Sequence, residues 1–191
     1  MNPQTVRKVA AWIRSELRVP FVVVGGSAIE RHVSVGTKDV DVLIAVGDWS
    51  SLDSALEHRR DATPLDPSTG TIRGTVLMLP EGRVDVEFIS GQPFSGSRPG
   101  DDFVVYVRNY RSSISHGIRY ADEAVVFYMR LAVDGWEANG PGILRDLRAG
   151  VPGSTLDAAV EIGRRFGRQS EIRERAAFFR EKAHLFDPRR E

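Results

Sequence analysis

The residues best suited to chemistry are two aspartates at the start of a predicted strand. In the stretch "FVVVGGSAIERHVSVGTKDVDVLIAV", residues 21–46, Asp39 and Asp41 are separated by one valine. On a strand both side chains leave the same face, with Cα atoms about 7 Å apart. Two carboxylates this close repel each other and are costly to bury without a cation. The pair therefore predicts a divalent metal site, and carboxylate oxygens favour Mg²⁺ or Mn²⁺ over zinc.

A third carboxylate can come from the later segment "VDVEFIS", residues 84–90. Its apolar residues alternate with Asp85 and Glu87, so both acidic side chains lie on one face of the predicted strand. We take Asp85 as the third metal ligand. Glu87 on the same face is the alternative, and we favour Asp85 because Glu87 could instead pair with an arginine.

Gly25, Gly26 and Ser27 follow the first strand directly, where the chain turns into a predicted helix. Glycines let the backbone approach a ligand closely, and free amides at a helix start favour phosphate. The Ser27 hydroxyl can cap that helix or donate to a phosphate oxygen. A phosphate-binding turn beside a carboxylate metal site predicts a nucleoside triphosphate as ligand.

The first half of the chain alternates helices and strands. The first predicted helix is indicated by the helical spacing of Val6, Val9 and Ile13. The first predicted strand is indicated by the β-branched run that follows Pro20. The pattern predicts a helix at 3–18, a strand at 21–25, a helix at 26–32, a strand at 39–46, a helix at 48–59, a turn at 63–70 and an antiparallel hairpin at 71–90.

The second half changes to a helical pattern after a Gly, Pro and Ser loop at 91–101. We predict one more strand at 103–107, "FVVYV", and then helices at 121–134, 141–149, 155–167 and 169–185. The fold class is α/β, with a mixed sheet flanked by helices. Residues 1–110 form the α/β part and 111–191 a helical region packed on it as one compact unit.

Composition excludes several classes of protein. The 191 residues carry 26 basic and 26 acidic side chains, so no global charge attracts nucleic acid or a membrane. Cysteine is absent, which excludes disulfides and thiolate zinc sites. No signal-peptide core or membrane-spanning apolar run is visible, so we expect a cytoplasmic protein that does not contact a membrane.

The Gly-Gly-Ser turn, the Asp-Val-Asp strand eleven residues later and the further strand with Asp85 resemble the nucleotidyltransferase superfamily, which includes the palm of DNA polymerase beta. "GTKDVDVLI", "GIRYADEAVVFYMRLAV" and "ILRDL" look more narrowly like the minimal prokaryotic branch around the AbiEii-type toxins. The resemblance implies that Asp39 and Asp41 hold two metal ions, that Asp85 holds one of them, and that Gly26 and Ser27 grip the β and γ phosphates. It implies transfer of a nucleoside monophosphate to an acceptor hydroxyl, with transfer RNA or protein favoured as acceptor and a small-molecule hydroxyl left open.

The sequence departs from that branch at one important position. The branch usually has a lysine in the helix after the sheet, and here the nearest match is Arg130, which can neutralise triphosphate charge but cannot serve as a base. Lys38 can reach a phosphate or merely offset the aspartates, and Asp146 occupies the place of a later acidic motif. A toxin-like role with an antitoxin partner, a homodimer, and a non-catalytic nucleotide-binding or partner-binding module all stay open. The basic residues of the last helix are compatible with an RNA-facing surface or with a solvated face of ion pairs such as Glu171 with Arg175.

Overall fold

A computed structural model gives the structure of residues 2–57, 59–62, 72–97 and 102–184. The predicted turn at 63–70 lies outside these residues. Within them, six strands form one mixed sheet in the order β3-β4-β2-β1-β6-β5. The strands are β1 (Val22–Val23), β2 (Asp39–Ile44), β3 (Ile72–Leu79), β4 (Gly82–Ser90), β5 (Ser112–Ser115) and β6 (Ile118–Ala121). Neighbours β2 and β4 run parallel, as do β1 and β6, and the other neighbouring pairs are antiparallel.

Helices cover both faces of the sheet and make up most of the second half of the chain. They are α1 (Pro3–Trp12), α2 (Gly25–Ile29), α3 (Trp49–Leu56), α4 (Asp102–Tyr110), α5 (Glu123–Ala132), α6 (Gly140–Arg148), α7 (Ser154–Arg165) and α8 (Gln169–His184). Within the described residues no helix has the length and apolar character needed to cross a membrane. The α/β class, the mixed sheet and the helical C-terminal half are as predicted.

The alternation of side chains along β2 decides where the aspartates lie. Val40, Val42 and Ile44 belong to a core that also contains residues of α1 and α3. Leu43 belongs to a second core on the opposite face, shared with α4, α5, α7 and α8. Because successive side chains alternate, Asp39 and Asp41 project from the face on which the helical half packs.

The predicted strand "FVVYV" is wrong, because these residues form part of helix α4. Phe103, Val104 and Val107 are fully or almost fully buried, whereas Val105 is 52% exposed, which is helical rather than alternating burial. The β-branched residues favour a strand in isolation, and packing of the buried stripe overrides that preference.

Two strands of the sheet follow residue 110, where only helices were predicted. β5 and β6 form an antiparallel hairpin, and β6 pairs in parallel with β1 through Tyr120 and Val23. The β5 sequence "SSIS" contains three serines, which give little strand signal. The helical half therefore begins with α5, at Glu123, rather than at residue 111.

Candidate active site

A cleft of about 670 Å³ lies between the sheet and the helical half. Its lining combines acidic side chains from the sheet, glycines from the turn after β1, and basic side chains. These residues include Gly25, Gly26, Lys38, Asp39, Asp41, Glu87, Arg130 and Arg145. Most of the predicted site residues are thus brought together.

Strand register decides which acidic residue of β4 lines the cleft. Asp39 lies opposite Asp85, and Asp41 lies opposite Glu87. Glu87 lines the cleft, whereas Asp85 does not; its side chain is 59% exposed and forms an ion pair with Arg83 at 3.4 Å. The structure therefore places the predicted metal ligand Asp85 at the solvent-facing start of the strand and puts its alternative, Glu87, beside Asp41.

The Asp41 carboxyl is held in an unusual electrostatic environment. Burial, together with the nearby charges of Asp39 and Glu87, raises the pKa of Asp41 well above its usual range, and Arg130 opposes this effect. Burial, with the charge of Asp39, also raises the pKa of Glu87. The side-chain contact between the Asp41 and Glu87 carboxyls adds to the rise in the pKa of Asp41 and opposes the rise in the pKa of Glu87.

This carboxyl pair fits a hard divalent cation. Two adjacent carboxyls provide an oxygen donor set, and a metal ion would relieve the repulsion between them when both are ionised. Among the described residues no group of three histidine, cysteine or acidic side chains is arranged to hold a metal. The fit is therefore to the pair Asp41 and Glu87, with Asp39 close enough to influence both.

The raised pKa of Asp41 predicts a pH dependence of stability that Asp41→Asn weakens. The folded state binds this proton more tightly than the unfolded chain, so the contribution of Asp41 to stability is fully present below about pH 4, the ordinary aspartate value, and is lost as pH rises through the folded-state pKa. In denaturant titrations without metal between pH 4.5 and 8, the Asn variant should lose less stability and be about 1 kcal/mol more stable than wild type near pH 7. Asp85→Asn, at an exposed position, is the control and should show the wild-type dependence of unfolding free energy on pH. The same dependence on pH in all three proteins would contradict the prediction.

The turn after β1 packs directly on the Asp41 carboxyl. Gly25 has φ +60°, and a Cβ at this position would come within 1.7 Å of Asp41 Oδ2. A Cβ on Gly26 would come within 1.8 Å of Thr37 Oγ1. The two glycines therefore let the backbone lie against β2 and against the chain that leads into it.

The Ser27 hydroxyl is engaged within the protein. It is almost fully buried and donates to the Asp39 carbonyl oxygen at 2.9 Å, which ties the turn to β2. Its predicted role as a phosphate ligand stays a prediction. Helix α2 has only five residues, shorter than the predicted span 26–32, so its dipole adds little to anion binding.

Gly25→Ala should destabilise the protein more than alanine at a glycine with the same backbone conformation but open surroundings. Gly167 has φ +73° and nothing within 4 Å of a Cβ. Gly167→Ala should cost about 1 kcal/mol from backbone strain alone, and Gly25→Ala at least about 1 kcal/mol more, because the new methyl group displaces Asp41. Chemical denaturation of both variants measures the difference in the free energy of unfolding. Equal losses would show that the turn can shift to accommodate the methyl group without displacing the Asp41 carboxylate.

Two arginines face the glycine turn from the helical half. Asp146 on α6 is fully buried and forms ion pairs with Arg130 on α5 and with Arg145, whose Nε lies 3.0 Å from Asp146 Oδ1. Arg145 Nη2 lies 3.8 Å from the position of a Cβ on Gly26. The predicted residue Arg130 thus lines the cleft beside a second cation, Arg145, which the sequence analysis missed. The only signal for Arg145 was its place next to Asp146 in "ILRDL".

Comparison with known proteins finds similar folds among solved structures. One is the crystal structure of ANT(2″)-Ia in complex with adenylyl-2″-tobramycin, at 11% identity and a TM-score of 0.45, covering 94% of this chain and 98% of that chain. Another is JHP933 from Helicobacter pylori, at 9% identity and a TM-score of 0.41, covering 96% and 93%. No protein-family model matches the sequence, and no curated protein matches it. A function has to be inferred from the cleft itself.

Proposed function

We propose that this protein is a nucleotidyltransferase that moves a nucleoside monophosphate from a nucleoside triphosphate to an acceptor hydroxyl. The observation that carries the proposal is the Asp41 and Glu87 carboxyl pair, which lines one cleft with a glycine turn and the guanidinium groups of Arg130 and Arg145. Phosphoryl transfer requires carboxylates that can hold a divalent cation and, beside them, groups that can hold phosphate.

The chemistry of the lining suggests how the substrate lies. The triphosphate would lie against Gly25 and Gly26, where Arg130 and Arg145 offset its charge and Lys38 adds a further cation. Asp41 and Glu87, with Asp39 close by, would hold Mg²⁺ or Mn²⁺, and the ion would supply charge neutralisation at the reacting phosphate. Arginine is always protonated in proteins and cannot accept the proton of the acceptor hydroxyl, so the base must be one of the carboxylates.

The reaction balances with the residues of the cleft. The acceptor oxygen forms a bond to the α phosphorus, and the bond from the α phosphorus to the bridging oxygen breaks. Pyrophosphate leaves with that electron pair. We assign Glu87 as the cleft carboxylate that takes up the hydroxyl proton and passes it to water.

The test is thermal unfolding with each nucleoside triphosphate, with and without Mg²⁺, for wild type and Asp41→Asn. A nucleotide present at about 100 times its dissociation constant stabilises by about 2.7 kcal/mol, which corresponds to a rise in Tm of about 5 to 10 °C for a chain of this size. We expect this rise in wild type with metal, and its loss in Asp41→Asn. The absence of a shift with every nucleotide would contradict the proposal.

A non-catalytic nucleotide-binding module on the same fold is the second candidate. It is favoured by the ion pair between Arg130 and the buried Asp146. Arg130 stands at the position where the AbiEii-like branch has its lysine. This module would show the same metal-dependent shift but would release no pyrophosphate. If pyrophosphate is released, the acceptor decides the biological role. Transfer RNA or a protein as acceptor would support the AbiEii-like affiliation and a toxin-like role, with an antitoxin or a second copy as partner.

A further inference from the structure

A second cavity of about 510 Å³ continues from the cleft towards β3 and the end of β4. The two cavities share wall residues, among them Ile72, Ile89, Phe94 and Val133. We name this second cavity the side cavity. Because the two cavities share these walls, the side cavity lies next to the cleft that the carboxylates line.

The order of the strands places the side cavity on the far side of the carboxylates from the glycine turn. Gly25 follows β1, Asp41 lies on the neighbouring strand β2, and Glu87 lies opposite it on β4. One step further along the same face, Ile89 of β4 pairs with Ile72 of β3. The sequence of groups across the sheet is therefore phosphate-binding turn, carboxylates and apolar wall.

In-line displacement gives this order a chemical meaning. The attacking oxygen must approach the α phosphorus from the side opposite the leaving pyrophosphate. If the glycine turn and the two arginines hold the leaving group, the acceptor oxygen comes from the direction of the side cavity. This step rests on the proposed function.

The walls of the side cavity are apolar. They are formed by Ile72, Ile89, Pro93, Phe94, Ala132 and Val133. Walls of this kind bind apolar ligand surface, and a few polar groups at the edge fix its orientation.

The charges of the side cavity do not suit a polycation or a polyanion. Among the described lining residues, Asp134 is the one acidic side chain and Arg168 the one basic side chain. The Arg168 guanidinium donates to both Glu171 oxygens, at 2.7 and 2.6 Å, and to the Pro93 carbonyl oxygen at 3.1 Å. Its charge is therefore neutralised within the protein, and an RNA phosphate would find no free cation among these residues.

We propose that the side cavity is the acceptor site and that the acceptor is a small molecule with an apolar, aromatic or aliphatic body and one hydroxyl group. The apolar body fills the side cavity and its hydroxyl points back to Glu87. The oxygen–phosphorus bond forms at that hydroxyl, pyrophosphate leaves with the electron pair of the broken bond, and the proton passes to the carboxylate.

Binding of 3-phenyl-1-propanol, followed by ligand-observed NMR, tests the chemistry of the site without turnover. A ten-atom apolar alcohol in such a cavity should bind with a dissociation constant on the order of millimolar. Ile72→Asn and Val133→Asn, on opposite walls, should each weaken binding about tenfold. Met78→Asn is the matched control, because Met78 is an exposed apolar residue on β3 outside both cavities.

Two other probes separate the competing acceptor classes. 2-Deoxystreptamine is a polycation of similar size, and a short single-stranded oligoribonucleotide is a polyanion. We expect that Ile72→Asn and Val133→Asn do not weaken the binding of either charged probe relative to wild type. Failure of the alcohol to bind, equal binding to wild type and wall variants, or wall-dependent binding of either charged probe would overturn the proposal.

A ternary complex connects the site to the reaction. With nucleoside triphosphate, Mg²⁺ and 3-phenyl-1-propanol together, we expect interligand NOEs between the alcohol methylene and the ribose protons. Nucleotide binding without these NOEs would overturn the acceptor role alone. Alcohol binding with no binding of any nucleotide would instead overturn the proposed function and the acceptor role with it.

Discussion

Asp146→Asn should lower the free energy of unfolding by about 3 to 5 kcal/mol, because it removes the buried ion-pair partner of the largely buried Arg130. The Arg130 side chain is only 15% exposed and the Asp146 side chain is fully buried. For a chain of 191 residues this loss corresponds to a fall in Tm of about 10 °C or more. Chemical denaturation at pH 7 measures it.

Asp157→Asn is the matched control. Asp157 also pairs with an arginine, Arg180, but its side chain is 70% exposed. An exposed ion pair contributes at most about 1 kcal/mol, so this variant should unfold close to wild type. Equal, small losses in the two variants would show that the Arg130 pair is not a buried interaction in solution.

A double variant separates the penalty of a stranded charge from the value of the ion pair. Arg130→Met with Asp146→Leu removes both charges and replaces them with apolar volume. This protein should recover most of the stability that Asp146→Asn loses, as expected when the cost comes from the uncompensated guanidinium. A double variant as unstable as Asp146→Asn would mean that the ion pair itself stabilises the contact of α5 with α6.

Elements with a clear period were predictable from sequence, and elements defined by pairing partners were not. The hairpin at 71–90 corresponds to β3 and β4, and the helix predicted at 155–167 corresponds to α7. α4 was missed because its β-branched residues favour a strand locally while its burial depends on the helices around it. β5 was missed because a strand of serines is stabilised by its partner β6 rather than by its own composition.

The candidate site follows the same division. The spacing of Asp39 and Asp41 on one face depends only on the strand period and could be read directly. The choice between Asp85 and Glu87 depends on the register of β4 against β2, and the alternation of residues leaves that register open. The cleft arginine that was missed, Arg145, comes near the glycine turn only through the packing of α6.

Glu87→Gln should slow metal-dependent pyrophosphate release about 100-fold or more, whereas Asp85→Asn should change it less than about threefold. Glu87 lines the cleft opposite Asp41, so in the proposed function its loss removes a metal ligand and the proton acceptor together. Asp85 is exposed and paired with Arg83, outside the described lining of the cleft. The two variants change neighbouring residues of one strand face by the same conversion of carboxylate to amide.

Mn²⁺ binding provides a readout that does not depend on turnover. With a non-hydrolysable triphosphate present, EPR titration should show at least about tenfold weaker Mn²⁺ binding in Glu87→Gln and a near wild-type affinity in Asp85→Asn. The reverse result would return the third ligand to Asp85 and require β4 to shift by two residues against β2 when metal binds. A loss in both variants would mean that metal binding recruits both carboxylates. The side chain of Asp85 would then have to leave Arg83 and turn into the cleft.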